Sequence, residues 1–291
     1  MQPDILLTLS AGSIRPLLAA KDPRCASIFE LPQFAATQLE LRGLNLPADM
    51  LKGFGYHEIE RFRDEADRAH CPVLMLFEES PINFAVRGTP EWAAALDRLR
   101  RLGIAANRLG CPSIAVRAQS PDTDDAFEAT STGVKVALRE LDKFELNLLL
   151  TPNEGLTFDA ARLTDLIKKI GGFRIGSYPS FAHAHASGDL EKTLRKLAPY
   201  APAIAASVRG FDKDGVHDGY SLAACIESIR SVGYGNTLAI DFVGKGDGDK
   251  KSAKKAASVD VVAELDTARR QLVELTAEPE FSDVMNEEDE E

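Results

Sequence analysis

The 291-residue sequence predicts an α/β fold, a (β/α)8 TIM barrel whose parallel eight-stranded barrel is ringed by outer helices. Three observations predict it. Short apolar runs alternate strictly with longer amphipathic ones, the order of successive βα units. The rhythm repeats about every 34 residues, close to the size of one such unit. Most of the short runs are apolar throughout, as strands buried on both faces of a parallel sheet must be.

The units follow in order. ILLTLS (5–10) is the first strand, and a helix-like segment LPQFAATQLELR (31–42) follows it. GLNLP (43–47) is a short second strand. HEIERFRDEADRA (57–69) is helical, with Glu60 and Asp64 on one face. CPVLMLFEE (71–79) is a buried strand. WAAALDRLRRLGIAANRLG (92–110) is a long helix that stops at a glycine, with Trp92 as a packing anchor. PSIAVRA (112–118) is the fourth strand, DAFEATSTGVKVALRELDKF (125–144) a helix and LNLLLTP (146–152) the fifth strand. TFDAARLTDLIKKIGG (157–172) reads as a helix capped by Thr157 and ended by two glycines. FRIGSYP (173–179), AIAASVRGF (203–211) and TLAIDFVG (237–244) complete eight strands. Helices at 188–200, 221–236 and 259–275 lie between and after them. An open doubly wound sheet is the competing architecture, but no Gly-rich phosphate turn follows any strand.

One barrel over 1–277 and an acidic tail at 278–291 are the expected organisation. The tail carries eight of the acids behind the net charge of −11, which leaves the body near −3. A nearly neutral body lacks the basic face of a nucleic-acid binder. The single basic run, Lys250, Lys251, Lys254 and Lys255, reads as a solvated loop. No apolar run is long enough to span a membrane, and the N-terminus has no basic region ahead of its short apolar stretch, so no signal peptide is predicted. Cys25, Cys71, Cys111 and Cys225 are scattered without a C-x-x-C pair, which suits reduced thiols in a cytoplasmic protein.

In a barrel of this kind chemistry sits at the C-terminal ends of the strands. The polar residues expected there are Asn45, Glu78, Glu79, Arg117, Gln119, Thr151, Asn153, Glu154, Ser177, Tyr178, Ser180, His183, His185, Ser207, Arg209 and Asp241. Glu78 and Glu79 could offer one carboxylate to a pocket, with at least one of the two expected to be merely solvated. Cys111 precedes a proline at the opposite face and reads as core. If the segment is extended, His183 and His185 point to one face, and Glu154 or Asp241 could complete a metal site with them; a pair of exposed loop histidines is the plainer alternative. His57, His70 and His217 have no evident partner and read as surface residues. No G-x-S-x-G elbow is present.

From residue 92 onward the chain resembles the xylose isomerase-like barrel family of sugar and sugar-phosphate isomerases and epimerases. The residues that carry the resemblance are LRRLGIAANRLGCPSIAVRA, LNLLLTPNEG, RIGSYPSFAH, IAASVRGFDKDG and SVGYGNTLAIDFVG, in the order of helix 3 through strand 8. The resemblance implies one divalent Mn, Mg or Zn ion held by Glu, Asp, His and Glu at the ends of strands 5 to 8. It also implies carboxylates at strands 5 and 8 that move a proton next to a carbonyl. At those four positions this sequence has Thr151, Ser180, Ser207 and Asp241. Hydroxyls are weak ligands beside carboxylate and imidazole, so no metal and no other cofactor is expected. His183 and Arg209 fall where the family contacts substrate. Asp241 and Glu154 are the expected catalytic candidates, and His183, Arg209, Arg117 and Asn153 the substrate-binding ones.

The resemblance thus implies an isomerase- or epimerase-type protein with a degenerate metal site, or a non-catalytic relative (a pseudoenzyme) that binds a sugar, a phosphate ester or a protein partner. The related metal-dependent apurinic endonucleases need several metals and a basic face, which this chain lacks. No motif specifies the substrate or the oligomeric state.

Overall fold

The computed structural model describes residues 5–244 and 260–277. The lysine-rich run and the acidic tail lie outside them. Eight parallel strands run in chain order around the wall: β1 (Leu6–Ser10), β2 (Leu44–Pro47), β3 (Val73–Ile82), β4 (Ser113–Ala118), β5 (Asn147–Thr151), β6 (Ile175–Ser177), β7 (Ala203–Val208) and β8 (Thr237–Phe242). β1 pairs with both β2 and β8, so the sheet curls until its ends meet. The meeting of β6 and β7 is slight. One parallel bridge, Ser180 to Ala205, closes the ring, and the Ala205 amide donates to the Pro179 carbonyl at 2.9 Å. This is the (β/α)8 barrel that the alternation predicts.

The helices are α1 (Arg15–Ala20), α2 (Leu31–Gln38), α3 (Tyr56–Arg68), α4 (Pro90–Leu109), α5 (Asp124–Leu141), α6 (Ala160–Ile170), α7 (Phe181–Ala186), α8 (Leu190–Leu197), α9 (Leu222–Arg230) and α10 (Val261–Thr276). None is long and apolar enough to cross a membrane among the described residues. Their starts are set by side-chain caps that satisfy otherwise orphaned amides. Thr89 accepts from the Trp92 amide, Thr123 from Ala126 and Ser221 from Ala224. For α6 the cap is Asp159, which accepts from the Arg162 amide at 2.8 Å. Thr157, the expected cap, instead accepts from the Asn153 amide at 3.1 Å and ties down the β5–α6 loop.

Strand alternation sorts the apolar side chains into two cores. Leu148, Leu150, Ile204, Ala206 and their counterparts face the helices. Met75, Phe77, Ala115, Leu149, Tyr178, Ala203 and Ala205 fill the barrel itself. The two alanines of β7 leave room for the Tyr178 ring, which meets Phe77 edge-on at 5.9 Å. Small beside large is how a barrel of eight strands fills its interior without voids. All four cysteines are buried and unpaired, and burial pushes the Cys111 thiol up to about 12.

Candidate active site at the barrel mouth

One register step above the apolar interior, the inward positions turn polar. Arg117 on β4 is level with Thr151 on β5, and Ser207 on β7 is level with Asp241 on β8. Ser10 on β1 is level with Asn45 on β2. These six side chains come from six strands and encircle the C-terminal end of the barrel.

Asp241 is the carboxylate of this ring. Burial pushes its carboxyl above the usual range; the Ser10 and Ser13 hydroxyls, which donate to it, pull the other way, as does Arg117, while nearby Glu79 adds to the rise. Ser13 also accepts from the Phe242 amide at 2.8 Å, which fixes the end of β8. Arg117 stands across the mouth with its guanidinium 5.4 Å from the centre of the Phe77 ring. Among the described residues it has no ion pair and no side-chain hydrogen bond. The neighbouring charges are committed elsewhere. Glu79 pairs with Arg15 at 2.9 Å, and Arg15 with Asp49 at 2.7 Å. Glu78 points outward, 3.8 Å from Arg98, and accepts from the Ser80 amide. Neither glutamate is simply solvated, contrary to the expectation for one of them. Ser177 also departs from the sequence expectation: it faces the helices and donates to the Leu197 carbonyl at 3.2 Å.

The floor of the mouth is Tyr178. Its hydroxyl oxygen accepts from Asn45 Nδ2 at 3.4 Å, and burial holds the phenol well above its ordinary pKa, with Asp241 adding to the effect.

The His183–His185 pair is not extended. Ser180 caps α7 by accepting from the His183 amide, and the two imidazoles follow a helix, where residues two apart point in opposing directions. His183 Nε2 donates to the Phe158 carbonyl at 2.8 Å and its ring packs edge-on against Phe158. His185 is exposed and leans on Tyr220, with ring centres 5.2 Å apart. His57 and His70 are exposed as expected, but His217 is not. It is buried, its Nε2 accepts from the Arg209 amide at 3.0 Å, and its Nδ1 donates to the Tyr220 carbonyl at 3.0 Å. These two hydrogen bonds fix the neutral tautomer and brace the start of the β7–α9 loop behind Arg209. The Arg209 side chain lies along Gly219. Asn153 and Glu154 sit on the β5–α6 loop. Glu154 is exposed, with no ion pair or side-chain hydrogen bond to Asp241 or to any other described residue.

Half-buried His183 and buried His217 both have pKa values lowered, chiefly by loss of solvent around the ring. Below their ordinary value of about 6.5 the unfolded chain binds more protons than the folded one. Stability that is complete above that pH is therefore lost as pH falls through the lowered values. Thermal melts between pH 7 and pH 5 should show a falling midpoint. His183→Gln keeps a donor for the Phe158 carbonyl without a proton to gain, so it should remove part of that slope. An identical slope in the variant would exclude His183 as a contributor.

Tyr178 was among the mouth residues expected from the sequence; Ser10 was not, although its place at the end of strand 1 marks it, and Ser13 and His217 as brace had no sequence signature. A cleft of about 690 Å3 lies on the outer wall, between the β7–α9 loop and α10. Another of about 360 Å3 opens at the opposite, N-terminal end of the barrel. Neither includes the ring of polar strand ends. Among the described residues no group of three or more His, Cys, Asp or Glu is arranged to hold a metal.

A (β/α)8 barrel with a polar, strand-end mouth is the class that fold and site define. Its solved likenesses are consistent with that. The chain is similar to an L-ribulose 3-epimerase, at 15% identity over 95% of this chain and 95% of the other, with a TM-score of 0.69. It is similar to the probable 3-DHS dehydratase AsbF of petrobactin synthesis from Bacillus anthracis, at 13% identity over 92% and 99%, TM-score 0.69. An IolI protein with a bound zinc atom is similar at 10% identity over 95% and 98%, TM-score 0.69. At these identities the likeness establishes the barrel fold. No family model and no curated protein matches the chain.

Proposed function

We propose that this chain is a sugar or sugar-phosphate isomerase/epimerase-type barrel whose divalent-metal site is largely lost, and that its mouth binds a small carbohydrate or a phosphate ester of one. The observation that carries the reading is Arg117: a half-buried guanidinium, without an ionic partner among the described residues, across the mouth from Asp241. An unpaired cation inside a polar ring suits an anionic or polarised oxygen of a ligand. The epimerase and dehydratase likenesses support a carbohydrate-like ligand.

The residues at the four strand ends do not fit a divalent metal. Asp241 is one carboxylate donor, the Ser180 hydroxyl is engaged as the α7 cap, and Thr151 and Ser207 offer neutral hydroxyls. Any proton transfer next to a carbonyl then falls to this chain's own groups. Asp241 would take the proton, since a raised pKa suits a base that must also give the proton back. Glu154 would be the second carboxylate, reaching in from the β5–α6 loop, with Asn153, His183 and Arg209 as ligand contacts around the rim. The exposed position of Glu154 favours a second reading, a non-catalytic binding protein, because Asp241 then has no facing carboxylate.

Elemental mass spectrometry after dialysis against Mn2+, Mg2+ or Zn2+ tests the metal-free site. Far less than one ion per chain is expected, with Asp241→Ala indistinguishable from the parent. Roughly one ion per chain, lost in Asp241→Ala, would overturn the reading.

A further inference from the structure

Beside Arg117 and Asp241 the barrel mouth keeps hydrogen-bonding capacity that nothing in the protein uses. Asn45 is 2% exposed, and its Oδ1 has no partner. The Thr151 Oγ1 is buried and likewise unpartnered. Leaving such groups unmet costs stability, and apolar replacements of the same shape would serve packing better. Thr151 is the inward residue of β5 directly above Leu149, and it is level with Arg117 on the adjacent strand. Asn45 reaches the Tyr178 hydroxyl from β2. Two unmet polar atoms therefore lie among the inward side chains above Tyr178 and Phe77, Thr151 at the level of Arg117 and Asn45 bonded to the Tyr178 hydroxyl.

We propose that Asn45, Thr151 and Tyr178 form a hydroxyl-binding subsite at the floor of the mouth, so that the ligand is a short hydroxylated phosphate ester whose hydroxyl points down the barrel axis while its anionic group meets Arg117. The subsite rests on the mouth being the ligand site. Asn45 Oδ1 accepts from the ligand hydroxyl, and Thr151 Oγ1 donates to it or accepts from it. Tyr178 sets the depth: its ring lies in the lumen against Phe77, so the ligand hydroxyl that reaches the floor belongs to a short chain.

The test is calorimetric binding of three probes to the full chain: inorganic phosphate, n-propyl phosphate and glycerol 3-phosphate. The parent should bind glycerol 3-phosphate about five- to tenfold more tightly than n-propyl phosphate, the worth of one or two added hydrogen bonds. Thr151→Val keeps the shape and deletes the hydroxyl, so its preference should shrink to about twofold or less while phosphate affinity stays within about twofold. Asn45→Leu should act in the same direction. Because the Thr151 hydroxyl is unpartnered, Thr151→Val should melt no lower than the parent. Binding of all three probes without preference in the parent would overturn the subsite alone, and so would an undiminished preference in Thr151→Val. A melting point several degrees lower in Thr151→Val would make the hydroxyl structural and also overturn it. No binding of any probe to the parent would overturn the ligand site itself and the subsite with it.

Discussion

Arg117→Ala is expected to weaken binding of inorganic phosphate or a sugar phosphate to the mouth about ten- to a hundredfold. A guanidinium hydrogen-bonded to a charged oxygen is worth roughly 1.5–3 kcal/mol, and each 1.4 kcal/mol is a factor of ten. The fold should barely notice. Arg117 has no ion pair to break, and its contact with the Phe77 ring at 5.4 Å is worth about 0.5 kcal/mol at a half-exposed site. Arg117→Lys should recover only part of the affinity, since a single ammonium does not reproduce a planar fork. Titration calorimetry beside a thermal melt separates the two effects. Unchanged affinity in Arg117→Ala would remove the basis for the mouth as an anion site. A large drop in melting point would mean that the side chain is structural.

Gly155→Ala is expected to cost about 3 kcal/mol or more of stability. Gly155 has φ of +82°, a region that costs other residues roughly 1–2 kcal/mol. An added Cβ would also stand 2.2 Å from the Ser120 carbonyl oxygen. That carbonyl accepts from the Leu156 amide at 2.9 Å, and a bridge joins Ser120 to Gly155, so the obstacle is backbone held by its own bonds. The collision adds to the conformational cost, as overpacking does. The same bridge ties down the loop that carries Asn153 and Glu154, so whatever ligand contact they make should weaken as well. Chemical denaturation measures the first effect. A loss below about 1 kcal/mol would show that the β5–α6 loop yields at little cost.

The barrel was legible because its signal is redundant. Eight runs such as LNLLLT and AIAASV must each be buried on both faces, and an error in one leaves seven others to fix the architecture. Boundaries were less legible where a run's composition misleads. FRIGSYP reads as seven strand residues, yet the ladder with β5 covers only Ile175–Ser177; the Tyr178 amide still donates to the Leu150 carbonyl at 3.0 Å, and Pro179 beyond it has no amide to donate. FAHAHA alternates like a strand, but Ser180 captures the His183 amide and starts a helix. Thr157 and Asp159 are both plausible caps, and only the path of the loop selects Asp159. For the site, strand phase sufficed to bring Arg117, Thr151, Ser207 and Asp241 to one ring. His217 was opaque for the opposite reason: its burial comes from a loop that doubles back on Arg209, a long-range fact with no periodic trace.

The wall is a split ring rather than a seamless tube. Seven neighbouring strand pairs are laddered, while β6 meets β7 through the Ser180–Ala205 bridge. Resistance to shear in a sheet grows with the number of bonds that must break together, so this line is where the cylinder yields first. The weak line runs beside Ser180 and α7, and β2 and β3, with Asn45 and Glu79, stand on the other side of the ring. A fluctuation that parts the seam can therefore alter the bore near His183 while the Asn45 side of the ring keeps its shape.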